Sequence, residues 1–186
     1  MPNSYAELAA RIRVPSGLLL GATYLLFARP TPERLLWGSA VALAGLFLRA
    51  AGAGHLAKNR RLATSGPYAY MRHPLYLGSA LAGIGFCLAG GRWWFFLLLG
   101  VFMAAVYWPV IRREENHLSK LFPEEFPTYA SSVPFLSFRR PGNHTSPAGP
   151  NQFSWSLYWK NREYRAFLAY VTIVLVLLGK MLMMAT

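Results

Sequence analysis

The sequence predicts an all-α integral membrane protein with about five transmembrane helices. Hydrophobic residues make up 54% of the 186 residues and charged residues only 14%, against roughly 25% in soluble domains. Long apolar runs alternate with short polar segments, and the few acidic residues are all Glu. This balance is typical of a chain solvated by lipid, and its length predicts a single domain over 1–186.

The N-terminal part predicts a surface helix followed by a first span. Residues 3–13 have the pattern of a short interfacial helix, with Ser4 and Glu7 at capping-box spacing. The apolar run 14–28 is short for a span, and residues 10–13 extend it toward the roughly 20 residues needed.

Four further apolar runs predict the remaining spans, at 35–56, 75–90, 93–111 and 166–185. Arg49 interrupts the second run near one end. The connection between the third and fourth runs is only a few residues long, which predicts a helical hairpin.

The positive charge lies mainly on one side of these spans. The N-terminal segment, the 57–73 loop with Arg49, and 112–165 hold 15 of the 19 Lys and Arg residues. The positive-inside rule therefore predicts a cytoplasmic N-terminus, two cytoplasmic loops and an outer C-terminus, in what we expect to be a bacterial inner membrane. The net charge of +12 follows from this topology, so we expect no nucleic-acid partner.

Two polar motifs fall on the predicted cytoplasmic face. One is "GPYAYMRHPLYLG" (66–78), before the third span, and the other is "RREENHLSKLF" (112–122), after the fourth. Because these spans form a hairpin, we expect the two motifs to be neighbours in space.

The first motif has the features of a helix start. Pro74 suits the first turn of the following helix, which places Arg72 and His73 at the helix N-terminus, where an anion is favoured. The alternative is a charged anchor at the membrane interface, with the tyrosines in the aromatic belt.

In the second motif, two adjacent carboxylates indicate a site for a cation. Glu114 and Glu115 point about 100° apart on a helix, so we expect only one of them to face a given pocket. The alternative is that Arg112 and Arg113 simply pair with them.

Small residues in the third run allow two interpretations. Gly78, Ala82, Gly85 and Ala89 lie at helical spacing, and Gly83 adds a second glycine beside Gly85. Such a stripe either lets another helix pack closely or exposes backbone to the flat part of a ligand.

The C-terminal third is predicted to stay at the membrane surface until the last span. Residues 121–136 form an amphipathic segment that ends in an extended Val133-Pro134, and 139–165 read as a cytoplasmic loop followed by an interfacial helix. Cys87 lies alone in an apolar run and the four histidines lack zinc-ligand spacing, so we expect no metal.

Taken together, the motifs within 66–136 resemble the isoprenylcysteine carboxyl methyltransferase and phospholipid methyltransferase superfamily of integral membrane enzymes. The resemblance implies S-adenosyl-L-methionine as cofactor, bound without a Rossmann fold in a cytoplasmic-face pocket between the loops that flank spans three and four. It also implies a lipid or prenylated small molecule as methyl acceptor.

By the same resemblance, individual residues acquire roles. Those implied as catalytic are His73, Glu114 and Glu115, since an amine acceptor must lose a proton; His117 is a further candidate. Those implied to bind the cofactor are Gly66, Pro67, Tyr68, Arg72, His73, Tyr76, Gly83, Gly85, Glu114 and Glu115.

This chain also departs from the family pattern. Ser132 stands where carboxyl methyltransferases have a basic residue before Val-Pro, unless Arg139 or Arg140 replaces it, and Pro123 and Phe126 stand where members have Gly and Tyr. The acceptor therefore stays open between a prenylcysteine carboxylate, a phospholipid amine and another lipophilic group. The alternatives of another class are a non-catalytic lipid-binding protein and a sterol-reductase-like enzyme with a nicotinamide cofactor.

Overall fold

A computed structural model of the protein describes residues 4–136 and 152–185. Within these ranges the regular elements are all helical, which confirms the predicted all-α membrane fold. The helices are α1 (Ser4–Phe27), α2 (Pro32–His55), α3 (Pro74–Gly90), α4 (Trp94–Leu121), α5 (Glu125–Ser132), α6 (Trp155–Lys160) and α7 (Tyr164–Ala185), and a 3-10 turn covers Gly66–Ala69. Arg139, Arg140 and most of the predicted 139–153 loop lie outside the described residues.

Three of the described helices are long and apolar enough to cross a membrane: Pro32–His55, Trp94–Leu121 and Tyr164–Met184. Helix α3 is apolar but has only 17 residues, and α1 does not meet the same criterion. The total of five spans therefore stays a prediction.

Helix α1 differs from its prediction, because one continuous helix replaces the expected surface helix and separate span. Pro15 lies inside it and has no N–H to donate to the preceding turn. The hydroxyl of Ser16 donates to the carbonyl of Ile12 at 2.5 Å, which supplies a local hydrogen bond beside the proline.

Helices α2 and α3 pack closely through their glycines. A methyl group on Gly38 would lie 2.5 Å from the carbonyl oxygen of Gly85, and one on Gly45 would lie 2.5 Å from that of Gly78. These four glycines therefore let the two backbones meet, as small residues do between membrane helices.

Two charged side chains inside the apolar helices, Arg49 and Lys180, have partners. Arg49 of α2 donates from Nη2 to Oε1 of Glu163 at 2.7 Å and from Nε to Oε2 at 3.0 Å, which joins α2 to the start of α7. Lys180 of α7 donates to the carbonyls of Leu25 and Leu26, each at 2.7 Å, at the end of α1. Both contacts satisfy groups that are costly to leave unpaired in lipid.

Candidate functional site

The first wall of the candidate site is the turn that precedes α3. Gly66 has a φ of +60°, and a methyl group there would lie 2.6 Å from the ring of His55, so only glycine fits. Pro67 follows it in the 3-10 turn. Tyr68 is buried, and its carbonyl accepts a hydrogen bond from the hydroxyl of Tyr129 at 2.8 Å. The turn is thus held between the end of α2 and helix α5.

Burial raises the pKa of two tyrosines, Tyr68 in this turn and Tyr129 on α5. The pKa of Tyr68 is raised, first by burial and then by the nearby charge of Glu114. Burial also raises the pKa of Tyr129. Both side chains therefore remain hydrogen-bond donors at neutral pH, and neither supplies a charge.

Arg72 and His73 lie at the start of α3, as the sequence predicted. The backbone N–H of Arg72 donates to the carbonyl of Pro134 at 3.0 Å, so the Val-Pro segment returns to this motif. The carbonyl of His73 accepts from the N–H groups of Tyr76 and Leu77, which begins the helix. His73 is thus the residue that directly precedes α3, and Tyr76, another predicted site residue, lies in the first turn of this helix.

Glu115 lies at the centre of the cluster. Its Oε1 accepts from Nη1 of Arg72 at 2.5 Å and lies 3.2 Å from Nε2 of His73, while its Oε2 lies 3.6 Å from Nη1 of Arg112. Its side chain is only 12% exposed. One mostly buried carboxylate therefore joins the end of α4 to the start of α3.

His73 is itself 5% exposed, and burial lowers its pKa, against the raising effect of the hydrogen bond to Glu115. The imidazole is therefore neutral at pH 7. With the proton on Nε2, where it donates to Glu115, the other ring nitrogen is left as an acceptor.

Glu114 joins the same cluster by a separate contact. Its Oε2 accepts a hydrogen bond from the hydroxyl of Tyr76 at 2.7 Å. Both carboxylates therefore contact residues of the first motif, while the expectation that only one of them faces a given pocket stays a prediction. Because Arg72 and His73 precede α3 while Tyr76 lies on it, the two carboxylates reach different partners from neighbouring positions on α4.

Aromatic rings surround these polar groups, and the sequence did not single them out. The ring of Phe135 lies 4.7 Å from that of His73 and 5.4 Å from the guanidinium carbon of Arg72. The ring of Tyr107 lies 5.7 Å from that of Tyr76. The position of Phe135 directly after the extended Val-Pro was the available signal.

Two buried polar atoms have no partner among the described residues. They are Nε of Arg72 and Oγ1 of Thr64. An unpaired N–H of a guanidinium is costly to bury, and such atoms in native structures call for a ligand or a water. Arg72 is therefore the cluster member with capacity for a further acceptor.

Two predicted cofactor residues lie away from the cluster. A methyl group on Gly83 would lie 2.7 Å from Cδ1 of Leu99, and one on Gly85 would overlap the backbone of Ala42. Both faces are covered by neighbouring helices, which favours the packing interpretation of the small-residue stripe, and the cofactor role of Gly83 and Gly85 stays a prediction.

His117 is also separate. Its Nε2 lies 3.3 Å from Oδ1 of Asn59, and the side chain is exposed. The hydrogen bond of His117 is therefore to a residue outside the cluster, and its role as a base stays a prediction.

The described residues form a groove of about 360 Å³ elsewhere, between α2 and the segment that leads into α7. Phe47, Phe153, Trp155 and Phe167 line it together with Glu163. The predicted site residues do not line this groove, and those of the cluster contact one another directly. The expected cofactor pocket stays a prediction.

Comparison with known proteins places this geometry in a family. Residues 36–125 match the family described as phospholipid methyltransferase. A cobalt-zinc-cadmium resistance protein of Cupriavidus metallidurans is 39% identical over 77 residues, covering 41% of this chain and 35% of the relative. A nickel-cobalt-cadmium resistance protein of Alcaligenes xylosoxydans xylosoxydans is 36% identical over 77 residues, covering 41% and 36%.

These matches are partial, because the aligned part spans only about a third of the length of each curated relative. No solved structure matches the chain. The family match nevertheless includes both polar motifs, with the side chains of Arg72, His73, Tyr76, Glu114 and Glu115. Residues 36–125, just under half of the chain, match the phospholipid methyltransferase family, which lies within the superfamily of integral membrane methyltransferases that the two motifs resemble.

Proposed function

We propose that this protein is an S-adenosyl-L-methionine-dependent methyltransferase that acts on a lipophilic acceptor in the membrane. The observation that carries the proposal is the joining of the two motifs, by Arg72 and His73 to Glu115 and by Tyr76 to Glu114. The family match adds the reaction class.

The residues of the cluster fit the charges of this cofactor. The cofactor carries a carboxylate, an ammonium and a sulfonium, so it needs both a cationic donor and an anion. Arg72 offers its unpaired, buried Nε to a carboxylate. Glu114 offers its second oxygen, Oε1, for which the described residues supply no hydrogen bond, to an ammonium. We therefore assign the cation-facing role to Glu114.

The remaining predicted residues shape the same site. Glu115 is already paired with Arg72, so its role in this proposal is to orient Arg72 and His73. In the turn at Gly66, Pro67 and Tyr68, the carbonyl of Tyr68 accepts a hydrogen bond from Tyr129, and the charge of Glu114 contributes to the raised pKa of Tyr68. Gly83 and Gly85 are left out, because their faces pack against other helices.

When bound, S-adenosyl-L-methionine supplies a methyl group on a positively charged sulfur. The work left to the chain is alignment of the acceptor and exclusion of water, which together lower the barrier to in-line displacement. His73 is neutral and has an acceptor nitrogen, so it can take a proton from an amine acceptor, whereas a carboxylate acceptor needs no base.

The acceptor itself is proposed only as a class. A prenylcysteine-like carboxylate is one candidate, and a phospholipid amine is the alternative that the family description favours. The relatives are named for metal resistance, but residues 4–136 and 152–185 contain no group of three or more His, Cys, Asp or Glu that could hold a metal ion. We therefore propose a membrane lipid as the partner, on the strength of the family match.

The proposed setting is a single domain in a bacterial inner membrane, with the cluster on the cytoplasmic side. The distribution of Lys and Arg supports this orientation. The long apolar helices support the proposal that the protein lies in a membrane.

Calorimetry in mild detergent tests the proposal, with S-adenosylhomocysteine as the probe. We expect binding at micromolar concentration or tighter, and a loss of at least about tenfold in Glu114→Gln, since a charge-assisted contact is removed. Glu125→Gln is the matched control, because Glu125 is an exposed acid on α5, away from the cluster. No binding by folded wild-type protein would instead favour a non-catalytic lipid-binding protein.

A further inference from the structure

We propose that Arg112 binds the anionic group, a carboxylate or a phosphate, of the lipid acceptor. This inference rests on the proposed methyl transfer, and it assigns a specificity-determining residue that the family match and the relatives do not identify. It also gives the acceptor a chemical feature, an anion that either is the reacting group or lies close to it.

The first observation is that Arg112 is held in place without being covered. Its guanidinium carbon lies 4.7 Å from the centre of the Trp108 ring and 5.8 Å from that of Phe135. Those two rings lie 5.3 Å apart. Stacking on aromatic rings fixes the plane of a guanidinium while leaving its N–H groups at the edge. The side chain of Arg112 nevertheless remains 58% exposed.

The second observation is that Arg112 has a weak partner. Its Nη1 lies 3.6 Å from Oε2 of Glu115, which is too long for a hydrogen bond. Arg72 is the close partner of that carboxylate, at 2.5 Å. A guanidinium has five N–H donors, so most of the hydrogen-bonding capacity of Arg112 remains for a ligand.

The third observation is location. The ring of Phe135 lies near Arg112, Arg72 and His73, with its centre 5.8 Å from the guanidinium carbon of Arg112, 5.4 Å from that of Arg72 and 4.7 Å from the centre of the His73 ring. An anion bound by Arg112 would therefore lie near Arg72, which is proposed to bind the cofactor, and His73, which is proposed to accept a proton, with the ring of Phe135 close to all three residues. Trp108 is 45% exposed and lies on α4, a candidate membrane span, which places the guanidinium at the edge of the apolar region. A lipid headgroup has its charge at this depth.

The neighbouring Arg113 supplies a matched control. It carries the same charge at the adjacent position and is exposed. The described residues provide it with no ion pair or ring contact like those of Arg112. A general effect of positive charge on lipid binding should therefore affect both variants equally, whereas a site built around Arg112 should affect only one.

The experiment compares two pairs of ligands, each with one anionic and one uncharged member. Calorimetry in mild detergent, at saturating S-adenosylhomocysteine, would measure N-acetyl-S-farnesylcysteine against its methyl ester, and dihexanoylphosphatidic acid against dihexanoylglycerol. We expect wild-type protein and Arg113→Gln to prefer the anionic member of one pair by about tenfold, and Arg112→Gln to bind both members equally. The pair that shows the preference tells a carboxylate from a phosphate.

Three results would overturn the inference: no preference in wild-type protein, an equal preference in Arg112→Gln, or a parallel loss in Arg113→Gln. Arg112→Gln should also keep its affinity for S-adenosylhomocysteine within about twofold. Loss of that affinity would show instead that Arg112 serves the cofactor through Glu115. Failure of the proposed function would be recognised separately, because wild-type protein would then not bind S-adenosylhomocysteine. In that case the two ligand pairs, measured without S-adenosylhomocysteine, would still test the anion preference.

Discussion

The hydroxyl of Tyr76 on α3 donates a hydrogen bond to Oε2 of Glu114 on α4, at 2.7 Å. These helices are the two arms of the hairpin, and the contact lies at its cytoplasmic end in the proposed orientation. It fixes one oxygen of a carboxylate and leaves the other directed away from the bond. A ligand cation would then meet a carboxylate that is already oriented, which lowers the entropic cost of binding.

Tyr76→Phe tests this orientation. The change removes one hydroxyl and keeps the ring that packs against His73 and Tyr107. We expect S-adenosylhomocysteine to bind about fivefold more weakly, because a hydrogen bond to a charged group contributes roughly 1.5–3 kcal/mol and part of it can be recovered by water. The measurement is calorimetry in detergent.

Tyr107→Phe is the control for that change, since the described residues offer no hydrogen bond to its hydroxyl while its ring packs beside Tyr76. Equal losses in the two variants would mean that the phenols act through packing, and the orienting role of Tyr76 would be wrong.

Gly85→Ala tests whether the small-residue stripe is a packing surface. An added methyl group would overlap the backbone of Ala42, so we expect a loss of about 1–3 kcal/mol in stability. Gly100→Ala is matched, because a methyl group there has no neighbour within 4 Å. Thermal unfolding in detergent would report both. Unchanged stability of Gly85→Ala, together with lost cofactor binding, would restore the ligand interpretation.

The sequence was most informative where a motif constrains the backbone. Pro74 predicted the start of α3, and the short connection between two apolar runs predicted the hairpin that brings Arg72 and His73 to Glu115. In both cases a local steric or length constraint decides the structure, so a single sequence is sufficient.

It was least informative where tertiary contacts decide. The choice between ligand and helix for Gly85 depends on α2, which is distant in sequence. Glu114 and Glu115 both contact the first motif because their partners lie at different places, Arg72 before α3 and Tyr76 within it. The angle between the two acids on their own helix does not reveal this. The contact of Phe135 with His73 depends on how the chain returns after α5.

His73 should make stability depend on pH. Burial lowers its pKa below the ordinary value of 6.5, so at pH values between the two the unfolded chain binds a proton that the folded protein does not. Its contribution is therefore complete above about pH 6.5 and is lost as the pH falls toward the lowered pKa. Arg72, Glu114 and Glu115 face the same ring.

Thermal unfolding in detergent between about pH 5 and 8 would measure this dependence. We expect His73→Gln to flatten the slope below about pH 6.5. A wild-type protein that becomes more stable as the pH falls through this range would contradict the lowered pKa and would indicate that Glu115 holds His73 in its charged form.

Glu115→Gln and Glu114→Gln should fail in different ways. Glu115 neutralises Arg72, whose side chain is 19% exposed, and its removal leaves a mostly buried guanidinium without its close partner. Breaking such a pair costs about 3 kcal/mol, less the part screened by solvent. We therefore expect Glu115→Gln to lower the unfolding temperature clearly, and Glu114→Gln to lose S-adenosylhomocysteine binding with little change in unfolding. The double variant Arg72→Gln/Glu115→Gln separates the causes, because removal of both charges should recover part of the stability while binding stays weak. If Glu115→Gln instead remained as stable as wild-type protein and lost binding, while Glu114→Gln bound normally, the roles assigned to the two carboxylates would have to be exchanged.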